Sequence, residues 1–170
     1  MHKGYLALLL HAHLPFVRHP EHEEFFEENW LFEAITESYI PLLRMMQRLV
    51  ADGVPFKLAM SITPPLCAML QDELLRERYA QHLARSITLA GRELERTRND
   101  PQLHELAQYY CDLLSEMRVF FECCQRDLLS VFRELRDRGA LDIIASGATH
   151  GLLPLLMQSP EAVRAQIMIG

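Results

Sequence analysis

Three short stretches of the chain are almost entirely apolar, a pattern typical of strands that are covered on both faces. They span residues 5–11, 54–62 and 141–146. Residues that interrupt regular structure follow two of these stretches. Pro64 and a second proline come after the second stretch, and Gly147 comes after the third. The pattern therefore predicts three buried strands.

Helical spacing of apolar residues fills most of the remaining chain. Residues 14–29 lack any period and include an acidic run, which predicts a long exposed loop with solvated carboxylates. From Trp30 the apolar positions step by three or four until Asp52 and Gly53. Pro41 either interrupts this helix or begins its second half. A second helical region covers residues 66–98.

The longest periodic pattern steps by three or four residues from Leu103 to Leu135 and ends at Gly139. It predicts one helix over residues 103–138, roughly 50 Å long at about 1.5 Å per residue. Pro101 lies in its first turn. The apolar stripe indicates core packing; a coiled-coil dimer is the alternative, although the stripe lacks a strict heptad seam.

A last helix begins at Pro160, with Ser159 as its cap. Strands that alternate with helices predict an α/β fold with a parallel sheet and right-handed crossovers. Because the last helix is short, we expect residues 1–170 to be an incomplete N-terminal portion of a barrel domain, with a helical insertion at about residues 66–139.

Composition excludes several classes of protein. The formal net charge is −6. This argues against a nucleic-acid partner, because proteins that bind nucleic acids use basic surfaces to neutralise the phosphates. The apolar run at residues 6–10 is too short to span a membrane or to act as a signal peptide. The four cysteines form no C-x-x-C motif, so we expect reduced, mostly buried thiols in a cytoplasmic protein.

Histidines occupy the ends of two predicted strands. His11 and His13 follow the first strand, and their i, i+2 spacing places both imidazoles on one face. His150 follows the third strand between Gly147 and Gly151, which we expect to let the backbone turn sharply. Ligands bind where parallel strands end, so the three imidazoles are candidates to bind sugar hydroxyls or a metal. The alternative is that these histidines have no functional role and either lie on the surface or form hydrogen bonds within the core.

Other candidates for chemistry are fewer. Trp30 is the single tryptophan; it is suited to stacking on a sugar ring, or to wedging the loop onto the barrel. Glu33 is suited to bonding a sugar, but we favour a structural role. Asp142 starts its strand, at the wrong edge of the sheet, and no acidic residue ends a strand as His11 does. The pair of carboxylates that a retaining glycosidase needs is therefore not visible.

Several blocks of this sequence resemble glycoside hydrolase family 57, most closely its 1,4-α-glucan branching enzymes. The blocks, in order along the chain, are residues 4–6, 11–16, 30–35, 38–43, 61–66 and 147–156. The resemblance implies a (β/α)7 barrel that acts on α-1,4-glucan, such as amylose or glycogen, by a retaining mechanism without a metal or organic cofactor. It implies that His11, His13 and His150 line the subsite around the cleaved bond, and that Trp30 matches a tryptophan of the branching subgroup.

The same resemblance places the nucleophile and the acid/base after the last of these blocks. We therefore expect no catalytic residue within the 170 residues and no activity of the isolated chain. Two other interpretations remain. A His-x-His pair also begins metal-dependent hydrolases of the amidohydrolase type, which bind zinc. A non-catalytic helical interaction module is the other, and an exposed apolar stripe on the long helix would favour it.

Overall fold

The computed structural model of the chain describes residue 4 and residues 6–170. Its strands are β1 (Leu9–Ala12), β2 (Leu58–Ile62) and β3 (Leu141–Ile144), and they form one parallel sheet in the order β1-β2-β3. The predicted α/β architecture with three parallel strands is confirmed. Each strand is shorter than its apolar stretch, and Tyr5, where the first predicted strand begins, lies outside the described residues.

The helices occupy the predicted regions but divide them more finely. They are α1 (Glu28–Ala34), α2 (Ile40–Ala51), α3 (Pro64–Gln71), α4 (Glu73–Thr97), α5 (Pro101–Cys123), α6 (Leu128–Asp137), α7 (Leu153–Leu156) and α8 (Pro160–Ile169). A π-helical segment, Ile35–Tyr39, joins α1 to α2 without a break. Pro41 therefore lies inside one continuous helix, two residues after the π-helical segment, where its missing N–H removes one backbone hydrogen bond without ending the helix.

The prediction of one helix over residues 103–138 is wrong. Gln125 and Arg126 both adopt left-handed backbone angles, with φ of 55° and 61°, and these separate α5 from α6. Asp127 then caps α6, since its carboxylate accepts a hydrogen bond from the backbone N–H of Ser130 at 3.2 Å. Gly139, at φ of 75°, follows α6 as the sequence predicts.

The core lies between the sheet and the helices α1 to α6. Its fully buried side chains include Leu43, Leu66, Tyr79, Leu128 and Leu141. The sheet is less covered than its apolar sequence suggests, because Leu9 on β1 is 65% exposed and two isoleucines of β3 are also exposed. The strands that end at the histidines are thus supported by helices on one side only.

The acidic run between β1 and α1 is not solvated throughout, although the sequence predicts that it is. Glu28, the last residue of that run, is buried and forms an ion pair with Arg78 of α4. A second ion pair, between Arg18 and Asp72 at 2.6 Å, ties the same loop to the beginning of α4. The loop is exposed over most of its length, but these two ion pairs fasten it to the beginning and the first turns of α4.

The cysteines are free thiols, which agrees with the absence of a disulfide pattern. The expectation that they are mostly buried is too strong, because Cys123 is exposed and the other three are only partly buried. Within residue 4 and residues 6–170, no helix combines the length and the apolar character that a membrane span requires.

Candidate functional site

Three imidazole rings lie together at the carboxyl end of the sheet. The ring centroid of His150 is 4.4 Å from that of His11 and 4.8 Å from that of His13. The His11 and His13 centroids are 6.1 Å apart. The sequence predicts this convergence from two separate strand ends, and the structure confirms it.

Hydroxyl groups of the neighbouring strand anchor two of these rings. His11 Nδ1 lies 2.5 Å from Ser61 Oγ, and His13 Nδ1 lies 3.0 Å from Thr63 Oγ1. The parallel register explains both contacts, because His11 pairs with Ser61 across β1 and β2, and the same offset of fifty residues continues beyond the strands. Side chains at i and i+2 share one face of a strand, so H-x-H on one strand meets S-x-T on the next.

A strained backbone position holds the third ring. His150 has a φ of 57°, in the left-handed region that non-glycine residues seldom adopt. Its N–H donates to the carbonyl oxygen of Gly147 at 2.9 Å, which closes a tight turn. Gln166 of α8 fastens the turn, since its side chain accepts from the Thr149 N–H at 2.9 Å and donates to the Thr149 hydroxyl at 2.6 Å.

The glycines of this loop serve a purpose other than the predicted one. Gly147 and Gly151 do not adopt left-handed angles; His150 between them does. A Cβ on Gly151 would lie 2.8 Å from Leu156 Cδ1, and a Cβ on Gly147 would lie 3.3 Å from the Gln166 side chain. The two glycines therefore allow the loop to pack closely on α7 and α8, and this packing supports the left-handed turn at His150.

Electrostatics disfavours a positive charge on His13. Burial lowers the pKa of His13, and the nearby His150 and His11 lower it further, because adjacent imidazolium charges repel. Among the described residues, no carboxylate forms a hydrogen bond or ion pair with any of the three rings. A neutral imidazole has one N–H donor and one acceptor nitrogen; Ser61 and Thr63 occupy Nδ1 of His11 and His13, so Nε2 of each ring remains for a neutral ligand rich in hydroxyl groups.

The structure does not place Trp30 in contact with these rings. Trp30 lies on α1, is 44% exposed, and stacks on no other aromatic ring of the described residues. Glu33, one turn later, is also exposed and lines a separate cavity with His82. A partly exposed indole keeps a ring face available for a ligand, but the structure does not test the role predicted for Trp30.

Metal ligands and carboxylates were the other candidates. Across the described part of the chain, no three His, Cys, Asp or Glu side chains are arranged to hold a metal ion. Asp142 is exposed near the start of β3, as expected, and pairs with Lys57 at 2.9 Å. The described residues thus add no ligand that would support the zinc hydrolase interpretation.

A concave surface lies away from the histidines, between α1, α4 and α5. It encloses about 450 Å³ and shares no residue with the histidine cluster. Leu103, Leu106 and Tyr110 of α5 line it, and all three are exposed by 44% to 52%. An exposed apolar stripe on α5 is therefore present, which is the feature that favours the helical interaction module.

Sequence reasoning did not identify Ser61, Thr63 or Gln166 as parts of the site. The first two belong to the strand next to the histidines, and only the register between β1 and β2 relates them to His11 and His13. The repeated i, i+2 spacing of two imidazoles and two hydroxyls, fifty residues apart, was the available signal. Gln166 has no such signal, because its role arises from the packing of α8 on the loop.

Comparison with known proteins gives consistent matches over nearly the whole chain. The family model described as "Glycosyl hydrolase family 57" matches residues 7–170. A 1,4-alpha-glucan branching enzyme of Thermococcus kodakarensis is 37% identical over 169 residues, which are 99% of this chain and 24% of that enzyme. The chain thus spans about a quarter of the length of this curated relative.

Two solved structures have the same fold. The α-amylase AmyC from Thermotoga maritima superposes with a TM-score of 0.91 at 44% identity, covering 96% of this chain and 31% of that one. The GH57-type branching enzyme from Pyrococcus horikoshii gives a TM-score of 0.91 at 39% identity, covering 98% of this chain and 31% of that one. The helices and strands described above are therefore shared with enzymes that carry two different names.

Proposed function

The chain belongs to glycosyl hydrolase family 57 as an N-terminal portion of the (β/α)7 barrel of that family, and from this premise we propose that it binds α-1,4-glucan. His11, His13 and His150 form the binding site. The reaction that the site serves is retaining glycosyl transfer, with 1,4-α-glucan branching as the specific activity.

One observation supports this proposal more than any other. Three imidazoles from two strand ends lie with their ring centroids within 6.1 Å of one another, and none of them is paired with a described carboxylate. Parallel barrels bind ligands at this end of their strands. A cluster of neutral donors and acceptors matches the hydroxyl groups of a glucose unit, since each hydroxyl both donates and accepts.

Branching and hydrolysis differ in the acceptor of the glycosyl group, which is a sugar hydroxyl or water. Relatives of both kinds are similar to this chain, one named a branching enzyme and another an α-amylase. We propose branching because the sequence around Trp30 resembles the branching subgroup. An exposed indole would stack on the acceptor or donor glucan and keep water from competing.

The 170 residues by themselves would bind glucan without cleaving it. Retaining transfer needs two carboxylates about 5–5.5 Å apart. Among the described residues, none lies in contact with the imidazoles. New α-1,6 branches formed on amylose by the isolated chain would contradict this part of the proposal.

Calorimetric titration with a maltooligosaccharide tests the binding site. Substituting glutamine for His11, His13 or His150 should lower the affinity by about tenfold or more, since a lost hydrogen bond leaves a sugar hydroxyl unpaired. His104→Gln is the control: His104 lies on α5 near the carbonyl of Leu94, away from the cluster, so affinity should not change. Equal effects of all four substitutions would refute the assignment.

The exposed stripe on α5 supports a second function beside glucan binding, that of a protein-contact surface. Leu106 is 52% exposed and Tyr109 is 58% exposed, which is unusual for large apolar side chains that are clustered. Sedimentation at increasing concentration tests pairing of two copies through this surface. Leu106→Lys should abolish any association, and a monomer at every concentration would exclude pairing.

A further inference from the structure

We propose that Ser61 and Thr63 are positioning residues that hold His11 and His13 in a single neutral tautomer, with the ring proton on Nε2. Each hydroxyl donates its proton to Nδ1 of one imidazole. The two rings then present two N–H donors side by side. The tautomers follow from contacts within the chain, and only their use for sugar recognition rests on the proposed function.

Burial determines the direction of these hydrogen bonds. Thr63 is fully buried and Ser61 is 6% exposed, so neither hydroxyl is left for solvent. Within the described residues, each hydroxyl has one hydrogen-bond partner, the Nδ1 of its histidine. If Nδ1 carried the proton, the hydroxyl proton would remain buried without an acceptor. An unpaired buried donor is costly, whereas an unused oxygen lone pair is tolerated more easily.

The chain frees the Thr63 hydroxyl for this purpose. Thr63 is the cap residue of α3, and a threonine at that position ordinarily accepts a hydrogen bond from an N–H of the first turn. Its side chain makes no such bond here. Pro64 and Pro65 follow it and have no N–H, so the first turn offers the hydroxyl little to accept. The hydroxyl binds His13 instead, at 3.0 Å.

Protonation of either ring would conflict with the same contacts. An imidazolium carries protons on both nitrogens, so Nδ1–H would face a hydroxyl whose own proton then has no acceptor. His13 also lies beside two other imidazoles, and burial together with these neighbours lowers its pKa. The hydroxyls and the clustering of the rings therefore favour the same neutral state.

This tautomer distinguishes a sugar site from a metal site. Two Nε2–H groups donate to ligand oxygens, as the hydroxyls of a neutral saccharide require. A metal would need the Nε2 lone pair and hence Nδ1–H, the arrangement that the buried hydroxyls disfavour. The second strand thus selects the chemistry of the site without any contact between Ser61 or Thr63 and the ligand.

Nitrogen-15 NMR of the chain labelled at histidine measures the tautomer directly, because protonated and unprotonated ring nitrogens resonate far apart. In the unmodified chain, His11 and His13 should both show an unprotonated Nδ1 in mildly alkaline solution. Ser61→Ala should shift the tautomer ratio of His11 toward Nδ1–H by about fivefold, the size of one neutral hydrogen bond, and leave His13 unchanged. Thr63→Val should do the reverse.

Conservative variants separate positioning from folding. Ser61→Thr and Thr63→Ser keep the hydroxyl and should restore the original ratio, even if either parent variant is less stable. A protonated Nδ1 on both rings of the unmodified chain would overturn the proposal. So would a Ser61→Ala variant with an unchanged His11. None of these signals needs a sugar, so a chain that shows the tautomers but binds no maltooligosaccharide would refute the proposed function and leave this inference standing.

Discussion

Glu28 and Arg78 form an ion pair in which the side chains are only 2% and 11% exposed. The carboxylate also accepts a hydrogen bond from the His19 N–H at 3.2 Å, and the guanidinium donates to the His19 carbonyl at 3.2 Å. A further bond reaches the carbonyl of His22. The pair therefore fastens the middle of the β1–α1 loop and the first residue of α1 to α4.

Glu28→Gln should destabilise the chain by about 3 kcal/mol, because it leaves a buried guanidinium without its counter-charge. Urea unfolding measures the change. The matched control is Glu95→Gln, which removes a carboxylate from an exposed ion pair with Arg98 and should cost less than about 0.5 kcal/mol. Similar decreases in the free energy of unfolding for the two variants would show that burial does not make the Glu28–Arg78 pair more stabilising than an exposed pair.

The sequence predicts helix ends well where they depend on only one or two neighbouring residues. Pro101, Ser159 and Gly139 each marked a helix end correctly, because a cap or a left-handed position depends on one or two residues. The break between α5 and α6 escaped this reasoning. The apolar spacing continues across it, and Gln125 and Arg126 adopt left-handed angles without glycine at either position.

Two substitutions at the break between α5 and α6 should change the free energy of unfolding in opposite directions. Asp127→Ala should lower the free energy of unfolding by about 1 kcal/mol, since it removes the cap of α6. Gln125→Gly should raise it by about 0.5–1 kcal/mol, because glycine adopts a φ of 55° without strain. Thermal or urea unfolding measures both. If Gln125→Gly destabilises instead, the left-handed turn is not strained.

The clustering of the three histidines was predictable from the sequence, but the hydroxyls that anchor two of them were not, for a related reason. Strand ends and i, i+2 spacing are local properties, so His11 and His13 could be assigned to one face from sequence alone. Ser61 became part of the site only through the register of β1 on β2. Register depends on how whole strands pack, and no short motif records it.

Acid should destabilise the chain through two histidines. Burial lowers the pKa of His13, and the nearby His150 and His11 lower it further. Burial also lowers the pKa of His82, where Arg85 adds to the effect and Glu33 opposes it. As pH falls below about 6.5, the unfolded chain binds protons that the folded chain does not, so the free energy of unfolding decreases. Above that pH these two groups give no slope.

Unfolding in urea between pH 5 and 8 measures this dependence. The double substitution of glutamine for His13 and His82 should flatten the curve below pH 6.5 without changing it above. The matched control is His104→Gln on α5, which replaces an imidazole that is neither in the histidine cluster nor on α4. A slope that survives the double substitution would assign the proton uptake to other groups.

Two substitutions at His150 distinguish the effect of its left-handed backbone on stability from the effect of its imidazole on binding. His150→Gly removes both, whereas His150→Ala removes the ring and keeps a Cβ at a φ of 57°. The glycine variant should be about 1 kcal/mol more stable than the alanine variant, the usual cost of a left-handed L-residue. Both should lose maltooligosaccharide affinity equally in calorimetry, since neither has an imidazole. Equal stability of the two variants would show that the turn is not strained, and retained affinity in both would remove His150 from the binding site.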